Sequence, residues 1–312
     1  MAESASPPVA PLQFKLHIPD SIAGGAAEDE HEESLFPHTP RLDDRCFATA
    51  PPEELIMECL RPGSCAADND GDRDWLKKIL VRLGHAANER GKVLMAHTWF
   101  QAAYAAQGSL TELLSSTNMR RKLGQWHLCA ALYKHVESLE LSATQREVSE
   151  RWHAWTRETL ADRNAPPPPR LTADEELAEL LDAPTVSSSD SGLEAEGLKR
   201  LIQFLRASGH GANQNKDFAT AQIWFDCAFA LSCAALDLLS AANMRGRLLP
   251  TSAVAMRAYE HVLSVEGCPE KQYAMAKEKL ARTRALREAE GLQPPAETAD
   301  NGGALVSHRD YF

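Results

Sequence analysis

Long apolar runs are missing from this 312-residue chain: no 18 consecutive apolar residues occur, so no transmembrane helix is expected. It opens without a basic, apolar signal segment. Its seven cysteines, Cys46, Cys59, Cys65, Cys129, Cys227, Cys233 and Cys268, are odd in number, widely spaced and without a C-x-x-C pair. That usage argues against a disulfide framework or a zinc site. A reducing, cytoplasmic location is therefore expected, with the nucleus left open. Cys227 and Cys233 fall in an Ala-rich segment and read as core residues.

Signatures of chemistry are also scarce. No P-loop, dinucleotide fingerprint or H-E-x-x-H motif is present, and the histidines do not fall at paired metal-ligand spacings. Asp68-Asn69-Asp70-Gly71-Asp72-Arg73-Asp74 starts like a calcium loop, but Gly71 comes two positions early and Ile79 stands where the bidentate Glu belongs. Its expected job is to cap and charge the helix carrying Trp75. His308-Arg309-Asp310 copies three letters of a kinase loop without the rest of its machinery. The short basic run Arg120-Arg121-Lys122 has no interleaved aromatics, so no nucleic-acid partner is expected. No catalytic, cofactor-binding or metal residues are assigned, and no cofactor is expected.

What is present is segmental charge. Lys and Arg minus Asp and Glu give −10 for residues 1–70, +4 for 71–163, −7 for 164–197, +4 for 198–290 and −2 for 291–312, which make the net −11. The first segment reads as an acidic, mostly disordered N-terminal region, carrying a short helix in Pro51–Leu60 that ends at Pro62-Gly63. Two basic helical modules, 71–163 and 198–290, flank the Pro-rich acidic linker 164–197, and 291–312 reads as a disordered tail. The linker opens with the stiff run Pro166–Pro169. An acidic helix is expected over Asp174–Asp182, with Thr172 and Glu175 at capping-box spacing. It contains Leu177-Ala178-Glu179-Leu180-Leu181, an L-x-x-L-L pattern, and the alternative to a docking motif is a linker helix packed on one module. Ser187, Ser188, Ser189, Ser191 and Thr39 lie in settings chemically suited to phosphorylation.

The modules are related to each other. Gly84–Leu123 and Gly209–Leu248 match at 16 of 40 positions without a gap, 125 residues apart, and Tyr133-Lys-His-Val is echoed by Tyr259-Glu-His-Val. Within the first copy, Leu80, Leu83, Gly84, Gly91, Ala96, Phe100 and Ala103 are followed by Leu113, Gly124, Cys129, Tyr133 and Val136. Gly91 to Gly124 and Phe100 to Tyr133 are each 33 residues. Within the second, Leu205, Gly209, Phe218, Ala221, Phe225 and Ala228 are followed by Leu239, Ala255, Tyr259 and Val262, with Phe225 to Tyr259 at 34. Small residues at these places let helix backbones approach, with Phe100 filling the gap beside Gly84 and Ala96. Gly91 suits the end of the first helix. A further helix follows each pair of hairpins, one after Ser142 with the stripe Val148, Trp152, Trp155 and Leu160, the other after Pro269 with Tyr273, Ala276 and Leu280.

This pattern resembles the tetratricopeptide repeat, a pair of antiparallel helices repeating at about 34 residues. It departs from that family where Lys216 and Pro250 stand in place of the inter-helix Gly, and where the family's Trp and repeat-end Pro are missing. The expected fold is all-α: a duplicated module of two helical hairpins plus a capping helix. Two repeats and a cap are few for a self-supporting stack, so the halves are expected to pack on each other or to form a homodimer.

In such repeats the first helix of each hairpin lines a groove for peptides. The resemblance implies partner-binding roles for Lys78, His85, Asn88, Asn118 and Arg121 in the first copy, and for Arg206, His210, Asn213, Asn243 and Arg247 in the second. Asn can bond a peptide backbone and Arg can fork onto a carboxylate, which suits an acidic peptide. The alternative is that His85, Asn88 and Asn118 bridge helices inside the repeat. The functional expectation is a non-enzymatic scaffold or adaptor that binds other proteins. Two alternatives stand beside it: a regulatory subunit whose acidic linker or tail occupies a basic groove, and an enzyme with a site within the helical array.

Overall fold

The structure, a computed structural model, describes residues 53–60, 62–63, 65–67, 69–162, 171–182 and 193–292. Residues 293–312 of the expected tail 291–312, most of the N-terminal region, the proline run and the serine cluster lie outside the described residues. Among the described residues every regular element is a helix and no strand occurs. They are α1 (Glu53–Leu60), α2 (Asp70–Glu89), α3 (Val93–Gln107), α4 (Leu110–Lys122), α5 (Trp126–Glu137) and α6 (Ala143–Ala161), then α7 (Ala173–Leu181), then α8 (Ala195–Gln214), α9 (Phe218–Ser232), α10 (Ala235–Leu248), α11 (Ala253–Ser264) and α12 (Glu270–Ala289). One five-helix order, α2 to α6, thus appears again as α8 to α12.

Local chemistry sets many of the boundaries. Asn69 caps α2 by accepting from the Asp72 amide, as Asp70 and Asp72 charge its first turn. Ser142 with Gln145 and Thr172 with Glu175 form full capping boxes on α6 and α7. Gly91 ends α2 with φ +75°, and its counterpart Lys216 adopts φ +60° although it carries a Cβ. Gly108 and Cys233 make the same left-handed exit from α3 and α9, at φ +71° and +53°. Cys233 is exposed there, which corrects its expected place in the core, whereas Cys227 is fully buried. Pro269 is the N-cap of α12, one step outside the first turn.

Close approach within each leading hairpin follows the small residues. A Cβ on Gly84 would lie 2.8 Å from Phe100 Cε1, and one on Gly209 would lie 2.8 Å from Phe225 Cε1. No side chain fits there, so α2 meets α3, and α8 meets α9, at a glycine. Helices α3 and α9 are Ala-rich and buried on nearly all sides, the condition of a helix enclosed by others. They also pack on each other, joining the halves, and one apolar cluster contains Leu80, Trp99 and Phe100 together with Leu205, Trp224 and Phe225. The halves therefore pack on each other within one chain.

Residues before α2 strap this seam. The Ala66 amide donates to Ser208 Oγ at 3.0 Å, and a Cβ on Gly63 would lie 2.4 Å from Thr220 Cγ2. Arg200 pairs with Asp72 at 2.9 Å and lies over Trp75. At the ends of the array, α6 covers α4 and α5 while α12 covers α10 and α11. The buried face of α6 centres on Ser149 and Thr156 rather than on the expected stripe. Trp152 is half-buried and Trp155 is exposed, because small side chains let α6 sit close and push the indoles to the flank. In α12, Ala276 and Leu280 are buried as expected, whereas Tyr273 is exposed.

Candidate functional site: the groove that holds the acidic linker helix

Of the residues expected to line a peptide groove, all but Asn213 have partners inside the array among the described residues. Tyr133 donates to Asn118 Oδ1 at 2.6 Å and Tyr259 donates to Asn243 Oδ1 at 3.1 Å, the same bond in both halves. Burial pushes both phenols well above their ordinary value, which keeps them protonated donors. His85 and His210 are exposed but set their ring edges on Phe100 and Phe225 at 5.1 and 5.2 Å. Asn88 Oδ1 accepts from Lys122 Nζ at 2.7 Å, whereas the equivalent Asn213 Oδ1 is enclosed with no hydrogen-bond partner among the described residues.

The cations behave in the same way. Lys78 pairs with Asp74 at 2.7 Å on the surface of α2. The Arg121 guanidinium lies 3.8 Å from the Trp152 ring centre and 4.8 Å from that of Trp155. Arg206 forks onto Asp237 at 2.8 and 2.7 Å, tying α8 to α10, and Arg247 is exposed over Phe218 at 5.0 Å. The structure brings Asn88 to Lys122, Asn118 to Tyr133 and Asn243 to Tyr259, and in doing so gives these side chains bridging contacts between helices.

A different place holds an amphipathic helix already. Helix α7 packs against α3 of the first half and against α9 and α11 of the second, which corrects the expectation that it rests on one module. Leu180 enters the core shared by the two halves, and Leu177 enters the cluster built by α10, α11 and α12. Burying two leucines contributes roughly 3 to 6 kcal/mol, offset by the cost of ordering a nine-residue helix.

At its C-terminal half, α7 directs polar contacts at the N-terminus of α3. The Glu179 carboxylate accepts from the Met95 amide at 2.9 Å, while Lys92, the N-cap residue of α3, makes no side-chain cap bond. In the second half the equivalent helix α9 caps itself: Asp217 accepts from the Thr220 amide at 3.1 Å, and Thr220 is the counterpart of Met95. Glu179 therefore supplies to α3 the anion that Asp217 supplies to α9. Burial raises the Glu179 carboxyl above its ordinary value, against the pull of the Met95 and Leu94 amides and of Lys92.

Two ion pairs flank this contact. Lys92 meets Asp182, and Arg257 of α11 reaches Asp174 at 2.8 Å. Lys92, Met95 and Arg257 were not legible as a site, although one signal was present: Gly91-Lys92-Val93 opens a helix with no Ser, Thr, Asp or Asn to cap it. Among the described residues, no group of three or more His, Cys, Asp or Glu is placed to hold a metal ion, and no helix is long and apolar enough to cross a membrane. Comparison with protein-family models, with curated proteins and with solved structures finds no match to this chain.

Proposed function

We propose that this chain is a non-enzymatic scaffold or adaptor of tetratricopeptide-like hairpins, receiving segments of partner proteins on its helical array. The observation that carries the reading is α7: an acidic amphipathic helix seated by two leucines, an N-terminal cap and two flanking ion pairs. That is the geometry by which a helix is recognised in a groove. The repeated glycine contacts at Phe100 and Phe225 support the repeat resemblance, since they come from the small residues that carry it.

A second reading, a regulatory subunit held closed by its own linker, is favoured by the pairing of Asp182 and Asp174 with basic residues of both halves. Affinity purification of the tagged full chain from its own cells tests the first reading. Stoichiometric partner proteins are expected, and their absence, or substrate turnover by the purified chain, overturns it. Replacing residues 171–182 by a Gly-Ser stretch of the same length tests the second. Partner affinity should rise, and unchanged affinity sinks the regulatory role.

A further inference from the structure

Helix α7 is held differently from the other helices. It has nine residues, buries only Leu177 and Leu180, and supplies a cap that α3 lacks in its own sequence. A helix of this length is marginal in water by itself, so its helicity depends on docking. The array around it does not depend on α7 for connectivity of its hairpins, because α2 with α3, α8 with α9, and α3 with α9 all pack directly. The groove thus reads a definite pattern: Asp at position i, Leu at i+3, Glu at i+5, Leu at i+6 and Asp at i+8, as in Asp174, Leu177, Glu179, Leu180 and Asp182.

Resting on the scaffold reading, we propose that this groove is a docking site for an acidic amphipathic helix of a partner protein bearing that pattern, and that the partner enters by displacing α7. Charge and shape select the occupant together. The N-terminus of α3, Lys92 and Arg257 present positive potential at three places along the groove, and the two leucine seats lie one helical turn apart. A basic helix meets like charge at the N-terminus of α3 and at Lys92, with Arg257 shared between Asp174 and Glu260 of its own helix at 2.9 Å, and an acidic helix without the two leucines leaves the apolar seats open to water. The tether holds α7 at an effective concentration of about millimolar, so a partner helix must bind more tightly than α7 does in isolation.

The test uses the full chain and a fluorescein-labelled peptide of residues 171–184. The variant Leu177→Asp/Leu180→Asp, with its own α7 unable to seat, is expected to bind this peptide about ten-fold more tightly than the unaltered chain, which competes with its tethered copy. Binding should weaken several-fold between about 50 and 200 mM salt, and a peptide carrying Glu179→Ala should bind less well. A variant with unchanged circular dichroism that takes up peptide no better than the unaltered chain overturns the proposal. Should that variant unfold, hydrogen exchange on the unaltered chain decides. Amides of α7 are expected to exchange about ten-fold or more faster than those of α3 and α9, and exchange of α7 only with global unfolding overturns the proposal. A scaffold that recruits its partners elsewhere fails the peptide test and passes the affinity purification, which separates this inference from the reading beneath it.

Discussion

The two halves keep a polar cluster at the same place, where the leading hairpin meets the next helix, between α3 and α4 and between α9 and α10, and fill it with opposite chemistry. In the first, Ser116 Oγ donates to Gln101 Oε1 at 2.7 Å and lies 3.0 Å from His97 Nδ1. Burial and the nearby Arg120 push His97 well below its ordinary value, so the group stays neutral. In the second, the equivalents of His97, Gln101 and Arg120 are Gln222, Asp226 and Arg245, and Ala241 replaces Ser116. There Arg245 forks onto Asp226 at 2.9 and 2.7 Å, with Gln222 donating to the same carboxylate at 3.3 Å. Equivalent places in the two halves therefore accept either a neutral chain of bonds or a buried ion pair, provided the polar groups find partners.

Removing half of each cluster gives the largest contrast. Asp226→Ala leaves Arg245 buried and unpaired and should cost about 3 to 5 kcal/mol, whereas Gln101→Ala breaks a neutral bond and should cost about 1 to 3 kcal/mol. Equal losses in urea unfolding break the distinction between the two interiors. Next come the contacts that the halves share. Gly84→Ala and Gly209→Ala each place a methyl against a buried ring and should each cost about 1 to 3 kcal/mol, in near-equal amounts. A large effect at one and none at the other shows that the hairpins are not equivalent in packing.

His97 sharpens the contrast by pH. Its folded-state pKa is lowered, so the unfolded chain takes up a proton first as the pH falls through about 6.5. The stability it contributes is present above that pH and is lost below it, by up to about 1.4 kcal/mol per pH unit until the folded form also protonates. His97→Gln, which installs the residue of the second copy, should flatten this part of the stability profile relative to the unaltered chain. Superposable profiles rule out the assignment. The smallest effect concerns the turns: Lys216→Gly, which copies Gly91, should stabilise by about 0.5 to 1 kcal/mol by relieving a left-handed backbone, read as a rise in thermal midpoint. No rise means that the strain at Lys216 is already offset by its surroundings.

Much of the fold was legible because its signals are local. Ser142, Thr172 with Glu175, and Gly91 each act within one helical turn, and all three mark helix ends in the structure as read from the sequence. Lys216 shows the limit of such signals. It lacks the glycine that the turn favours, yet the chain bends there because Ala212, Ala221 and Phe225 pack on either side. The stripe on α6 misled for a related reason: periodicity marks apolar positions, but Ser149 and Thr156 were buried because they are small.

The groove was less legible than the helices around it. Glu179 meets Met95 across 84 residues of chain, and Asp174 meets Arg257 across 83. Nothing local couples them. Charge counting marked 164–197 as acidic and the modules as basic, and the leucine spacing marked α7 as amphipathic, so the class of contact was foreseeable while its location was not.

By itself the sequence determined that the chain is helical, where several of its helices start or stop, and that one stretch of residues is echoed 125 positions later, because caps, left-handed turns and the echoed small residues are written in residues near one another or at a fixed spacing. Only the tertiary structure decided that α3 and α9 share one core, that Asn118 and Asn243 hold tyrosines, and that a linker carboxylate caps a helix with no cap of its own. Those outcomes depend on burial and on electrostatic partners brought together from distant parts of the chain, which periodicity does not encode.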